Sequence, residues 1–132
     1  MKQPDKLTAY YFRAAHKTET LYLDNQMQKL LYHASQNGVA AFALYVDNGY
    51  NGLNFERPAF SLMQQDMRNG RLEKIVVVSL DRISRNSLDV IAFADCAAGV
   101  GVSIEAVNGD HAALDWSRQV YTALAAKGGE RR

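Results

Sequence analysis

Residues 75–86 read IVVVSLDRISRN, and the change of character inside this stretch decides how the chain is read. Ile75 to Ser79 form an apolar, β-branched run of strand length behind a lysine. That pattern suits a strand buried on both faces of a parallel sheet. Leu80 then gives way to Asp81, Arg82, Ile83, Ser84 and Arg85, and an apolar helical pattern starts at Leu88. Open α/β sheets gather ligands outside the carboxyl ends of their strands, where loops and helix N-termini meet. If the helix has begun by Arg82, Arg82 and Arg85 share one face. Two guanidinium forks beside a helix N-terminus can hold a phosphate bidentately. A plainer reading stands beside this one, in which Asp81 or Ser84 caps the helix and both arginines are solvated surface.

The 132 residues amount to one domain with enough length to bury a core. No apolar run reaches membrane-spanning length, and Lys2 is followed by polar residues instead of a signal-peptide core. Cys96 is the single cysteine, cannot form an internal disulfide, and is expected to be a small buried hydrophobe in a helix. His16, His33 and His111 are scattered, each expected at the surface or in a turn, and no residues cluster at metal-ligand spacing. These features predict a cytoplasmic protein with no metal and no membrane contact. The net charge of +1 lacks the strongly basic balance of a free-standing nucleic-acid binder. Any contact with DNA is therefore expected through a local cluster, aided by other parts of a larger protein.

Outward from residues 75–86, strands and helices alternate. Leu7 to Phe12 is a β-prone run ending at Arg13, followed by a polar loop over Ala14 to Thr20. From Leu23 the apolar positions Leu23, Met27, Leu30, Leu31 and Ala34 mark a helix face. Asp24 is expected in its first turn, and Asn37-Gly38 at its end. Val39 to Val46 reads as a second buried-type strand, and Asp47 to Glu56 as a loop. Arg57-Pro58 opens a helix with proline at its first position, with Phe60, Met63 and Met67 as its apolar stripe and Gly70 as its stop. After the helix carrying Leu88, Ile91, Ala92, Asp95 and Cys96, Val102 to Val107 gives a fourth strand, half exposed at a sheet edge. Leu114 to Ala126 reads as a last helix. The alternation predicts a three-layer α/β domain, with a mostly parallel sheet of about four to five strands flanked by helices.

In such a sheet the carboxyl ends of strands one and three lie on the same edge. Arg13, Arg82 and Arg85 are then placed to converge on one anionic group, joined by Arg57 from the loop leaving that edge. Guanidiniums gathered with Asp81 suit a phosphodiester or its pentacoordinate transition state, whose oxygens gain negative charge during transfer.

The order of motifs resembles the catalytic domain of the serine recombinases, the resolvase/invertase group. The resemblance runs from about Leu7 to Val107. It rests on Tyr11-Phe12-Arg13, Asp24-Asn25-Gln26, Asp47-Asn48-Gly49-Tyr50-Asn51-Gly52, Arg57-Pro58 and, most specifically, Leu80-Asp81-Arg82-Ile83-Ser84-Arg85-Asn86. In that family a serine hydroxyl attacks the DNA backbone and leaves a 5′-phosphoserine link, which the free 3′-hydroxyl reverses after subunit rotation. The resemblance implies site-specific DNA recombination on a mobile or integrating element, with DNA and further copies of the chain (a dimer, or a tetramer in synapsis) as partners. It implies no cofactor. Phosphate contact falls to Arg13, Arg57, Arg82 and Arg85, with Gln26 in support and Asp81 positioning them or managing protons.

The departures matter as much. The family's nucleophile stands two residues after the strand-one arginine, and here that position is Ala15. Alanine has no oxygen to attack phosphorus, so the covalent step cannot proceed from it. Asn51 and Tyr22 also stand where the family often has serine. An engineered knockout would explain Ala15 but not those two. Thr18, Thr20 and Ser84 are the nearby hydroxyls, Ser84 reading better as a helix-start residue, and His16 reads as a loop residue and not a general base. Family members continue into a long dimerisation helix and then a DNA-binding region; the DNA-binding region is expected to lie outside this chain, and pairing with active relatives is expected through its last helix. Residues 1–132 are thus expected to be one resolvase-like domain, catalytically inactive and serving in a recombination complex. The competing expectation is a non-enzymatic α/β module whose arginines serve an anionic ligand or a protein partner.

Overall fold

The computed structural model describes residues 6–14, 20–49 and 57–112. Ala15, His16, Thr18, Asn51 and the expected last helix lie outside the described residues. The strands are β1 (Leu7–Ala14), β2 (Phe42–Asn48), β3 (Leu72–Val77) and β4 (Ser103–Ala106). The helices are α1 (Thr20–Gln36), α2 (Pro58–Arg68) and α3 (Ser87–Gly99). The described strands form one sheet in the order β2-β1-β3-β4, every pair parallel. β1 and β3 are thus neighbours, and their carboxyl ends lie on the same edge as expected.

β1 is one of the two inner strands, and from Thr8 to Ala14 it is buried. On one face Ala9, Tyr11, Ile75 and Val77 pack against Phe60, Met63 and Met67 of α2 and Val90, Phe93, Ala94 and Ala97 of α3. On the other, Tyr10, Phe12 and Val76 meet Leu30 and Ala34 of α1, with Leu23 and Met27 at the margin. Burial of this apolar surface, at about 25 cal/mol per Å², is the main force closing the layers.

Several sequence expectations are corrected here. α1 starts at Thr20, so Asp24 sits in its second turn. β2 is an edge strand, and Phe42, Leu44 and Val46 are exposed because α1 lies over β1 and β3 instead. An all-apolar run cannot distinguish a central strand from an edge strand. In α3 the buried positions are Val90, Phe93, Ala94 and Ala97, while Leu88 and Cys96 face solvent. That helix is apolar nearly all round, so its sequence period does not single out an inward face. Neither Asp81 nor Ser84 caps α3. The Asn86 side chain does, accepting from the Leu88 and Asp89 N–H groups at 2.9 and 3.4 Å. Residues Leu80–Arg82 form a single 3-10 turn, so Arg82 and Arg85 do not share a helix face. The α2 reading holds in full, with Arg57 at the N-cap, Pro58 at the start and Gly70 at φ +76° just past the end.

Candidate phosphate-binding site at the carboxyl edge

The site grows from the mismatch in strand length. β1 pairs with β2 up to Ala14↔Asn48, whereas its pairing with β3 ends at Tyr10↔Val76. Past that point Arg13 needs other partners for its backbone, since a buried peptide group left unpaired is costly. Gln26 of α1 supplies them. Its Nε2 donates to the Arg13 carbonyl at 2.8 Å and its Oε1 accepts from the Arg13 N–H at 3.3 Å. One buried amide thus stands in for the missing neighbouring strand.

The Arg13 side chain crosses to the turn after β3. Its Nε donates to the Arg82 carbonyl at 3.2 Å and its NH2 to the Asp81 carbonyl at 2.9 Å. Arg82 returns the contact through NH1 to the Arg13 carbonyl at 3.0 Å. Arg57, arriving at the start of α2, donates from NH1 to the Arg82 carbonyl at 3.0 Å and to the Tyr11 hydroxyl at 3.0 Å. Its NH2 donates to the Ile83 carbonyl. Its guanidinium also lies 4.5 Å from the centre of the Phe60 ring. Three guanidiniums therefore meet around the Asp81–Ile83 backbone, and Arg13 and Arg57 are each only 1% exposed.

Two supporting residues were not expected as site members. Asp47, opposite Arg13 in the β1/β2 register, accepts from the Tyr11 hydroxyl at 2.7 Å and from the Ala59 and Phe60 N–H groups at 2.8 and 3.0 Å. It anchors the N-terminus of α2, where a negative charge is favoured. Tyr11 then joins Asp47 to Arg57. Asp47 follows an apolar run directly, and that position, at a strand's carboxyl end, was the available signal.

Burial shifts the titrations. Desolvation, then the charges of Arg82 and Arg57, lower the Arg13 pKa. Desolvation likewise lowers that of Arg57, against the pull of Tyr11 and Asp47. Burial raises the Tyr11 phenol, and it stays neutral. For Asp81, burial acts upward but is outweighed by hydrogen bonds from Ser79 and Arg82 and by the Arg82 and Arg13 charges, so its pKa is lowered. Asp81 is thus a carboxylate near neutral pH, suited to fixing Arg82 rather than to donating a proton.

The fold brings Arg13, Gln26, Arg57, Asp81 and Arg82 into one network, while the Arg85 side chain points outward and is exposed. Arg82 is buried as well but keeps 10% of its side chain accessible, more than Arg13 or Arg57. Ser84 is buried, and its Oγ accepts from the Asn86 N–H at 3.0 Å, as befits a residue leading into a helix.

Comparison with known proteins agrees with this architecture. A putative DNA recombinase of Bacillus subtilis (strain 168) is 24% identical over 109 residues, covering 80% of this chain but only 21% of that relative. The N-terminal catalytic domain of TP901-1 integrase superposes with a TM-score of 0.77 at 24% identity, over 95% of this chain and 98% of that one. A resolvase family site-specific recombinase from Streptococcus pneumoniae gives 0.71 at 24% identity, over 96% and 90%. At these identities the two structures show a shared fold. The family described as "Resolvase, N terminal domain" matches residues 8–126, and this chain belongs to it.

Proposed function

We propose that this domain engages a backbone phosphodiester of DNA as a serine-recombinase-type domain with a vacant nucleophile position. The observation that supports it most is the gathering of Arg13, Arg57 and Arg82 at one carboxyl edge, with Ala15 two residues beyond Arg13. Arg82 and the outward Arg85 meet the phosphate first. Arg13 and Arg57 hold the turn that presents Arg82, and their charge favours the negative oxygens of a transferring phosphoryl group. Without a hydroxyl at position 15 no bond forms to phosphorus and no 3′-oxygen is released. The role left to the domain is structural or regulatory, in a homodimer or larger recombination complex in the cytoplasm, where DNA is at hand.

The test joins the domain, as it stands and with Ala15→Ser, to a DNA-binding region of known site and looks for a covalent adduct on a denaturing gel. An adduct with the serine variant alone supports the reading. An adduct with both would mean that another residue attacks phosphorus, and the inactivity claim would fall. A second reading has its own observation: Arg13 and Arg57 already donate to backbone carbonyls, as in a non-enzymatic module with a small anionic ligand. No adduct with either protein, and no preference for DNA over heparin in competition, would favour it.

A further inference from the structure

Arg82 differs from its neighbours in how it is held. Arg13 and Arg57 spend their guanidiniums on the Asp81–Ile83 carbonyls and are closed to solvent. Arg82 has one bond to the Arg13 carbonyl and a longer one, 3.3 Å, to Asp81 Oδ1, and 10% of its side chain stays accessible. Its remaining contact among the described residues is aromatic. The guanidinium carbon lies 5.2 Å from the centre of the Tyr22 ring, within cation–π range.

Tyr22 has no part in the core. It is 42% exposed, whereas the core contacts of α1 come from Leu23, Met27, Leu30 and Ala34. Tyr22 and Gln26 stand four apart, on one flank of α1. From that flank Gln26 pairs with the Arg13 backbone and Tyr22 covers Arg82. A ring on one face of a guanidinium excludes water there and leaves the in-plane N–H edge as the route of approach. A planar fork fixed in advance loses less entropy when it meets two phosphate oxygens.

We propose that Tyr22 is a positioning residue for phosphate contact, its ring holding the Arg82 guanidinium flat with the N–H edge outward. This deepens the DNA-binding reading and rests on it. It concerns a residue to which the family resemblance assigns no role, since Tyr22 stands where a serine is frequent in the family.

Two measurements on the whole chain test it. In the free protein, NMR of the Arg82 guanidinium should show a ring-current shift that Tyr22→Ala abolishes and Tyr22→Phe retains. Fluorescence anisotropy with a labelled DNA duplex at low salt should show roughly three- to tenfold weaker binding for Tyr22→Ala, the range expected for one cation–π contact. Tyr22→Phe should rescue it. In an Arg82→Gln background, Tyr22→Ala should add no further loss. A missing ring-current shift would overturn the proposal, as would full affinity in Tyr22→Ala. Equal losses in the Ala and Phe variants would assign the effect to the hydroxyl and overturn it as well. If the shift is present and the wild-type chain binds no DNA, the DNA reading fails, and the proposed phosphate-positioning role fails with it. The ring's hold on Arg82 in the free protein would remain as a separate finding.

Discussion

Two polar clusters among the described residues are charged in different styles. Across the α1 face, His33 lies between the Tyr10 hydroxyl at 3.1 Å and Glu105 Oε2 at 2.9 Å, while Lys74 Nζ donates to Glu105 Oε1 at 3.1 Å. There, acid and base are matched, and the cluster straps α1 to β3 and β4 with no need of a ligand. At the carboxyl edge, Arg13, Arg57 and Arg82 crowd together, and their charges are met chiefly by carbonyl dipoles. Arg13 feels both neighbours as repulsion. Like charges in a low-dielectric setting cost stability unless something offsets them. An incoming anion would offset them. Acid and base are paired one to one in the first cluster, whereas in the second three guanidiniums share the nearby carboxylates Asp81 and, through Tyr11, Asp47.

The largest expected effect is at Arg57. Arg57→Ala removes the donor to the Arg82 and Ile83 carbonyls and to Tyr11, leaving buried acceptors unpaired, and should cost about 3 kcal/mol in urea unfolding. A loss under 1 kcal/mol would break the idea that this arginine holds the turn. Asp47→Asn comes next. It weakens a carboxylate that accepts from Tyr11 and two α2 N–H groups, for about 2 kcal/mol by the same measurement.

The matched cluster should respond less, and to acid. Burial acts to raise the Glu105 pKa, but hydrogen bonds from His33 and Lys74 and their charges bring it below its ordinary 4.5. Because the folded value is depressed, the unfolded chain binds the proton more readily. The contribution is therefore full above pH 4.5 and fades as pH falls through the lower folded value. Glu105→Gln should cost about 1 kcal/mol at neutral pH and flatten the acid limb of the stability curve. An unchanged acid limb would mean that the strap contributes nothing there.

Arg85→Ala should change stability least, within about 0.5 kcal/mol, because the side chain is exposed. Its effect belongs to binding: the slope of log affinity against log salt for a DNA duplex should fall by about 1. A stability loss with no change in slope would reverse the division between the two clusters.

Local patterns in the chain carried a good deal of this. Proline after Arg57, glycine after α2 and the runs that became β1 and β3 were all readable, since they depend on backbone preferences within a few residues. His33 was misplaced at the surface because its partner Glu105 is far off in sequence and meets it only across packed layers. Cys96 reads as buried because α3 offers apolar residues on nearly every side, so only the sheet beneath it selects Val90, Phe93, Ala94 and Ala97.

By itself, the sequence determined the alternation of strands and helices, the placing of arginines just beyond strands and before α2, and the absence of a hydroxyl at position 15. Tertiary structure alone decided what those arginines do. Adjacent parallel strands of unequal length bring residue 13 to residue 82 and leave the Arg13 peptide to Gln26. They also turn two guanidiniums inward to backbone carbonyls and leave the third slightly less enclosed. Guanidinium direction is set by whichever acceptors lie within reach, and those acceptors come from segments that meet only when the sheet has formed.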